Sequence, residues 1–312
     1  MLSQLNEQQA AELAEKSNVE TMKRFNERPG TVSNQYLHDL YRFFKLSVRK
    51  SEFRDIFKEK LDLHHVPALD NILYWEDVLF PIADFYLAKE RWDEAIEIYE
   101  ELESIGGFEG ESAEYYQKFG YALQKRKKYA EAIQAYLKAD TLKPDNIWNN
   151  RHLAICYRLN RNYQAALTYY KKVEEAAPED TNVTFYIGSC LAELGQYEEA
   201  LNYFFKLDFI ENNCIKAWRG IGWCSFISQK YEQAMKYYEK IIKQKPLAID
   251  YMNAGHVAWV MGDIQKAAVF YGKAITASGN RERFLEMFHK DEESLLTQGI
   301  REEDIPLMLD LL

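Results

Sequence analysis

A short segment that ends in alanine recurs along the chain at a nearly constant interval, and this repeat constrains the fold more than any other feature. Successive alanines are separated by 37, 34, 34, 34 and 33 residues. The six segments end at Ala95, Ala132, Ala166, Ala200, Ala234 and Ala267. A fixed period of this length is typical of stacked helix pairs. We therefore expect an extended array in which each unit buries its apolar face against its neighbours.

Two further positions repeat around each alanine. Twelve residues earlier lies a small residue: Ala83, Gly120, Ala154, Gly188, Gly222 or Gly255. Four residues later lies an aromatic one: Tyr99, Tyr136, Tyr170, Phe204, Tyr238 or Tyr271. Small residues allow the two helices of a unit to approach closely, and we expect the rings to fill the space between one unit and the next. Pro144, Pro178 and Pro246 end three of the units, since proline cannot continue a helix.

These spacings resemble the tetratricopeptide-repeat family, and the resemblance covers residues 76–281. It implies an all-α fold, a right-handed α-solenoid of tandem helix pairs. The six implied repeats are 76–109, 113–146, 147–180, 181–214, 215–247 and 248–281. We expect residues 1–75 to form a helical region with a degenerate repeat at 37–63, and residues 282–312 to form helices that cap the last repeat.

Composition and motifs narrow the class of function. The formal net charge is −10, which disfavours nucleic-acid binding because phosphate neutralisation drives it. No apolar run is long enough to predict a membrane-spanning helix. The four cysteines form no CxxC pair, which indicates a reducing, cytoplasmic location. Because no nucleotide-binding, metal-binding or nucleophile motif occurs, we expect a protein that is not an enzyme and needs no cofactor.

The resemblance also implies a binding groove. In this family, the second, fifth, ninth and twelfth residues of each first helix line a concave surface. The first two repeats place acidic and neutral polar residues there, whereas the later four place aromatic residues and arginine, the types enriched at binding hot spots. We therefore hypothesise that the C-terminal half of the groove binds a protein or peptide partner. The predicted contact residues are Trp148, Arg151, Arg158, Phe185, Lys216, Arg219, Trp223, Phe226 and Trp259.

Several alternatives remain open at this level. The C-terminal segment is an alternative occupant of the groove. The chain is also compatible with a helical-solenoid enzyme or a fragment of a larger multidomain protein, and with an RNA-binding solenoid that stacks bases on aromatic side chains. A carboxylate clamp for chaperone tails is not expected, because no repeat combines lysine at the fifth place with asparagine at the ninth. Cys156, Cys190 and Cys224 recur two residues after the small position and are predicted to be core residues.

Overall fold

Paired helices make up the regular structure of the protein. The computed structural model describes residues 76–105 and 112–312, and the predicted degenerate repeat at 37–63 lies outside them. The chain divides into two compact units, residues 1–70 and 71–312, and all described residues belong to the second. Fourteen helices and no strands occur in the described ranges.

Twelve of these helices form six successive pairs. The first helices are α1 (Glu76–Ala88), α3 (Ala113–Lys125), α5 (Ile147–Leu159), α7 (Thr181–Glu193), α9 (Ile215–Ile227) and α11 (Ala248–Val260). The second helices are α2 (Trp92–Ile105), α4 (Tyr129–Leu142), α6 (Tyr163–Ala176), α8 (Tyr197–Ile210), α10 (Tyr231–Ile242) and α12 (Ile264–Ser278). Each second helix packs against its own first helix, and each of the first five also packs against the first helix of the next pair. The predicted all-α solenoid of tandem helix pairs is thereby confirmed.

Tight turns join the two helices of each pair, and one turn residue has a left-handed backbone. Lys127, Arg161 and Gln229 adopt φ values of 61°, 61° and 60°. Gly195 and Gly262 hold the equivalent place in other repeats, with φ values of 75° and 84°. Only glycine adopts this conformation without a steric cost, so the non-glycine turns carry local strain.

The repeated aromatic residue packs directly on the repeated glycine of its own unit. A methyl group added to Gly120 would lie 2.9 Å from the Tyr136 ring. Phe204 also reaches the next unit, where a methyl group on Gly220 would lie 2.6 Å from its ring. The rings therefore fill space within a unit as well as between units, which extends the expectation from the sequence.

Two helices follow the sixth pair. They are α13 (Arg281–Thr297) and α14 (Asp304–Asp310). Helix α13 packs against α11 and α12 and buries Phe284, Phe288 and Leu295. Beyond its C-terminal end, Gln298 accepts a hydrogen bond from the Tyr231 hydroxyl at 2.9 Å. The segment therefore covers the first helix of the sixth unit and extends back to the fifth.

Candidate partner-binding surface

Successive first helices pack side by side, as α1 does on α3, α3 on α5, α7 on α9 and α9 on α11. We call the surface formed by the second, fifth, ninth and twelfth residues of these helices the first-helix surface. The nine residues predicted to bind a partner all belong to it. Their environments differ: eight of them fall into three groups, and the ninth, Trp148, lines a cavity that is described after them.

The first group is buried. Phe226 is 1% exposed and Trp259 is 5% exposed. The Trp259 ring stacks on Phe288 of α13, with ring centroids 6.5 Å apart. Phe226 stacks on His256, whose other neighbours include Phe288. Neither side chain is accessible to a partner in this structure, and Trp259 is covered by α13. This end of the surface therefore corresponds to the alternative in which the C-terminal segment occupies the groove.

The second group consists of two arginines at the fifth place, which bridge neighbouring units. Arg219 donates Nε–H to Asp250 Oδ1 and Nη2–H to Asp250 Oδ2, each at 2.7 Å. Arg151 Nη2 lies 2.7 Å from Asp180 Oδ2. Asp180 is the N-cap of α7, and although burial opposes it, hydrogen bonds from Arg151 and the helix backbone lower the pKa of Asp180. Both arginines therefore hold the next first helix in place.

Arg158 begins the third group, which keeps some access to solvent. Its guanidinium carbon lies 4.5 Å from the centre of the Tyr186 ring. Its Nε–H donates to the Tyr170 hydroxyl at 3.4 Å. Burial raises the pKa of Tyr170 to about 12, against the opposing effect of Arg158. The positive charge of Arg158 has no carboxylate partner within ion-pair distance in the described part of the chain.

Phe185, Lys216 and Trp223 complete this group, and all three are half-buried. The Lys216 ammonium lies 5.8 Å from the Phe185 ring centre and 3.4 Å from Glu211 Oε1. The Trp223 ring lies 5.7 Å from Phe226, which anchors its inner edge. Together they leave a shallow apolar area with one partly neutralised cation.

A cavity opens on this surface nearer the N-terminal end of the array, in the first three units. Its volume is about 270 Å³, and we call it the α1–α5 cavity. Its walls are formed by Leu87, Glu114, Gln117, Lys118, Tyr121 and Trp148. Trp148 is 41% exposed, a high value for so large an apolar side chain. Of the nine predicted residues only Trp148 lines it, so the cavity lies in the half of the groove that the sequence analysis did not favour.

The sequence pattern did not single out the other residues of the cavity. Tyr121 and Leu87 occupy the ninth and twelfth places of their helices, where they stood among polar neighbours. Lys118 occupies the sixth place, which is not one of the four places that define the first-helix surface. Because the three helices belong to three different units, only the stacking of the units brings these side chains together.

A hydrogen-bonded cluster holds the Trp148 ring in position. The ring centroid lies 3.9 Å from that of His152 and 6.1 Å from that of Tyr121. Gln124 Oε1 accepts hydrogen bonds from His152 Nδ1–H at 2.8 Å and from the Tyr136 hydroxyl at 3.0 Å. Burial, with the nearby positive charges, lowers the pKa of His152 to about 4, so its ring is neutral at pH 7. The cavity wall is therefore preorganised.

One lysine beside the cavity is shared by two carboxylates. Lys118 Nζ lies 2.7 Å from Asp84 Oδ2 and 2.7 Å from Glu114 Oε1. The hydrogen bond from Lys118 lowers the pKa of Glu114. Tyr99 donates a hydrogen bond to the other oxygen of Asp84 at 3.3 Å. This group combines two carboxylates with one ammonium group, and 68% of the Glu114 side chain is exposed.

The repeated cysteines lie in the core. Burial raises the pKa of Cys156 to about 12, of Cys190 to about 11 and of Cys224 to about 12, so these thiols stay protonated near neutral pH. No metal-binding group of three or more histidine, cysteine or acidic side chains occurs among the described residues. Within the same part of the chain, no helix is long and apolar enough to cross a membrane.

Comparisons with known proteins agree with this architecture. Two sequence families described as "Tetratricopeptide repeat" match residues 79–105 and 113–146. A third, described as "Anaphase-promoting complex, cyclosome, subunit 3", matches residues 159–241. No curated protein gives a significant match.

Solved structures show the same fold at low sequence identity. A tetratricopeptide repeat protein from Parabacteroides merdae is 18% identical, with a TM-score of 0.53, and the match covers 75% of this chain and 97% of that one. The pilF protein of Pseudomonas aeruginosa is 16% identical, with a TM-score of 0.50 and coverage of 69% and 96%. The MamA protein is 20% identical, with a TM-score of 0.50 and coverage of 55% and 93%.

Proposed function

Because the chain belongs to the tetratricopeptide-repeat family, we propose that it is a non-catalytic scaffold that binds a segment of a partner protein on its first-helix surface. Members of a fold share architecture more than function, so the proposal rests on the surface itself. The observation that carries it is the α1–α5 cavity with the exposed ring of Trp148 in its wall. Exposed, rigidly held aromatic side chains beside a cavity are favourable anchors for binding.

The bound segment extends from this cavity towards the fifth unit. Arg158, Phe185, Lys216 and Trp223 lie along that path and are partly accessible. Arg151 and Arg219 contribute indirectly, since their guanidinium groups are engaged with Asp180 and Asp250. We place the scaffold in the cytoplasm, because its four cysteines are free thiols.

RNA binding is the less favoured role. Two of the arginines that would contact phosphates on this surface are committed to aspartates of the same chain. The chain as a whole carries a net charge of −10, so nucleic acid would approach against an unfavourable field.

An affinity capture experiment tests the scaffold proposal. The full chain is used as bait in an extract of its native cells, in three forms: wild type, the Trp148→Ala/Trp223→Ala variant and a Phe209→Ala control. Phe209 is a large aromatic residue that is 89% exposed on α8, a second helix outside the first-helix surface. Circular dichroism first establishes that all three forms are folded.

The proposal expects specific proteins that wild type and the Phe209→Ala control capture and the double variant loses. Equal capture by all three forms would contradict binding on the first-helix surface. Capture of RNA with a steep salt dependence, in place of protein, would favour the nucleic-acid role.

A further inference from the structure

We propose that the α1–α5 cavity takes an aromatic side chain of an extended partner segment, and that Asp84 and Glu114 bind a lysine or arginine two residues away in the same segment. This inference rests on the proposed scaffold function and specifies the chemistry of its partner. Three observations carry it: the size and lining of the cavity, the fixed position of Trp148, and the excess negative charge beside it.

The cavity has the size and lining for one ring. Its volume is about 270 Å³, whereas a dry protein cavity of about 150 Å³ is enough to hold benzene. Trp148, Tyr121 and Leu87 supply apolar walls from three different helices. A phenyl or phenol group placed there would meet the edge or face of two rings, an arrangement that aromatic pairs favour.

The wall does not need to rearrange before it binds. His152 packs on Trp148, and Gln124 holds His152 and Tyr136 through two hydrogen bonds to one oxygen. A side chain that is already fixed loses little conformational entropy when a ligand arrives, which favours binding. The exposed face of Trp148 is thus a prepared contact rather than a mobile side chain.

The negative charge beside the cavity favours a positively charged residue in the partner segment. Lys125 lies over the Tyr121 ring, 5.0 Å from its centre, but neither Asp84 nor Glu114 pairs with it. Lys118 is bound by both of these carboxylates, so the three groups carry a net charge of −1. A second cation would balance it, and a guanidinium group can bind a carboxylate through two parallel hydrogen bonds. In an extended segment, side chains two residues apart point to the same side. A lysine or arginine two places from the aromatic residue therefore reaches the carboxylates while the ring occupies the cavity.

Fluorescence anisotropy with defined peptides tests the inference. The full chain is titrated into a fluorescein-labelled peptide, Gly-Lys-Ser-Phe-Ser-Lys-Gly. Two matched peptides replace the phenylalanine with alanine, or both lysines with glutamate. Each peptide is also titrated with Trp148→Ala, with Glu114→Gln and with Glu131→Gln. Glu131 is a suitable control because it too pairs with a nearby lysine, the N-cap residue Lys128, and is 56% exposed, but it lies on α4, a second helix.

We expect the lysine–phenylalanine peptide to bind most tightly. Loss of the phenylalanine, or Trp148→Ala, should weaken binding at least about tenfold, as for a hot-spot anchor. Exchange of lysine for glutamate should weaken it about fivefold, and Glu114→Gln about threefold, as for partly exposed ion pairs. Glu131→Gln should leave the affinity unchanged. An increase in salt from about 0.05 M to about 0.5 M should reduce the difference between the lysine and glutamate peptides.

Equal affinity for all three peptides, or no detectable binding at about 1 mM chain, would overturn the inference. Dependence on phenylalanine without dependence on lysine or Glu114 would overturn the role of the carboxylates. The scaffold function fails separately: if affinity capture still depends on Trp148 and Trp223 while these peptides do not bind, the function stands and the partner chemistry proposed here is wrong.

Discussion

Arg219 and Asp250 join the fifth unit to the sixth through two parallel hydrogen bonds, each 2.7 Å long. Asp250 is 1% exposed, and its Oδ2 also accepts the Leu247 backbone N–H at 2.7 Å, at the start of α11. The carboxylate therefore caps a helix and binds the preceding unit at once. Arg219 is half-exposed on the first-helix surface, yet its main partner is within its own chain.

Arg219→Ala should destabilise the fold, because it leaves a buried carboxylate without its cation. Loss of one partner of a buried pair costs about 3–5 kcal/mol, and the partial exposure of Arg219 reduces the expected loss to about 2 kcal/mol. Chemical denaturation measures the free energy of unfolding. Lys230→Ala, which breaks an exposed pair with Glu198, is the control and should have little effect. Equal losses in the two variants would mean that the Arg219–Asp250 pair has no special structural role.

Gly222→Ala should also destabilise the protein. Its new methyl group would lie 2.8 Å from the Tyr238 ring, and the ring is closed in by the core. Overpacking of this kind costs about 1–3 kcal/mol. Gly272→Ala is the matched control, since it lies within α12 with no atom in reach of the added methyl group. At position 272, alanine should stabilise the helix by about 0.5–1 kcal/mol. Thermal melts in which the melting temperatures of both variants shift in the same direction would contradict the packing argument.

Stability should decrease as the pH falls from about 6.5 to about 4.5. Burial lowers the pKa of His152 to about 4, so in this window the unfolded chain binds a proton that the folded chain does not. The contribution of His152 to the free energy of unfolding is therefore fully present above about pH 6.5 and is lost as the pH falls towards about 4. The lowered pKa of buried His256 acts in the same direction.

His152→Phe keeps a ring against Trp148 but removes the titrating group. Denaturation curves at several pH values should show a weaker decrease for this variant, by about 1–2 kcal/mol at pH 4.5 after allowance for partial solvent screening. A pH profile identical to that of wild type would show that His152 does not titrate with folding.

Arg161→Gly should stabilise the turn between α5 and α6. Arg161 has a φ of 61°, and a left-handed backbone costs a non-glycine residue about 1–2 kcal/mol. Part of this gain is offset by the greater freedom of glycine in the unfolded chain, about 0.5–1 kcal/mol. The net increase should be about 0.5 kcal/mol in the free energy of unfolding. Gly195→Ala, at the equivalent turn with open space around it, should lower stability, and a gain there would refute the strain argument.

The sequence alone determined the helix pairs. Gly120 and Tyr136 recur at fixed offsets because their contact is made within one unit, whose residues are close along the chain. Such local geometry repeats with the sequence, so the period, the small residues and the aromatic residues were sufficient to predict the all-α solenoid. The groove positions were implied by the family resemblance, applied in the same register.

The accessibility of those positions was decided only by the tertiary structure. Trp259 is inaccessible to a partner because Phe288 of α13, a helix outside the repeats, stacks on its ring. Trp148 is also a tryptophan of the first-helix surface, but its ring remains exposed to solvent beside Tyr121. It belongs to the third unit, whereas the capping helix packs on the sixth. A repeat pattern specifies which way a side chain points, whereas burial and ion pairing depend on what the rest of the chain brings against it.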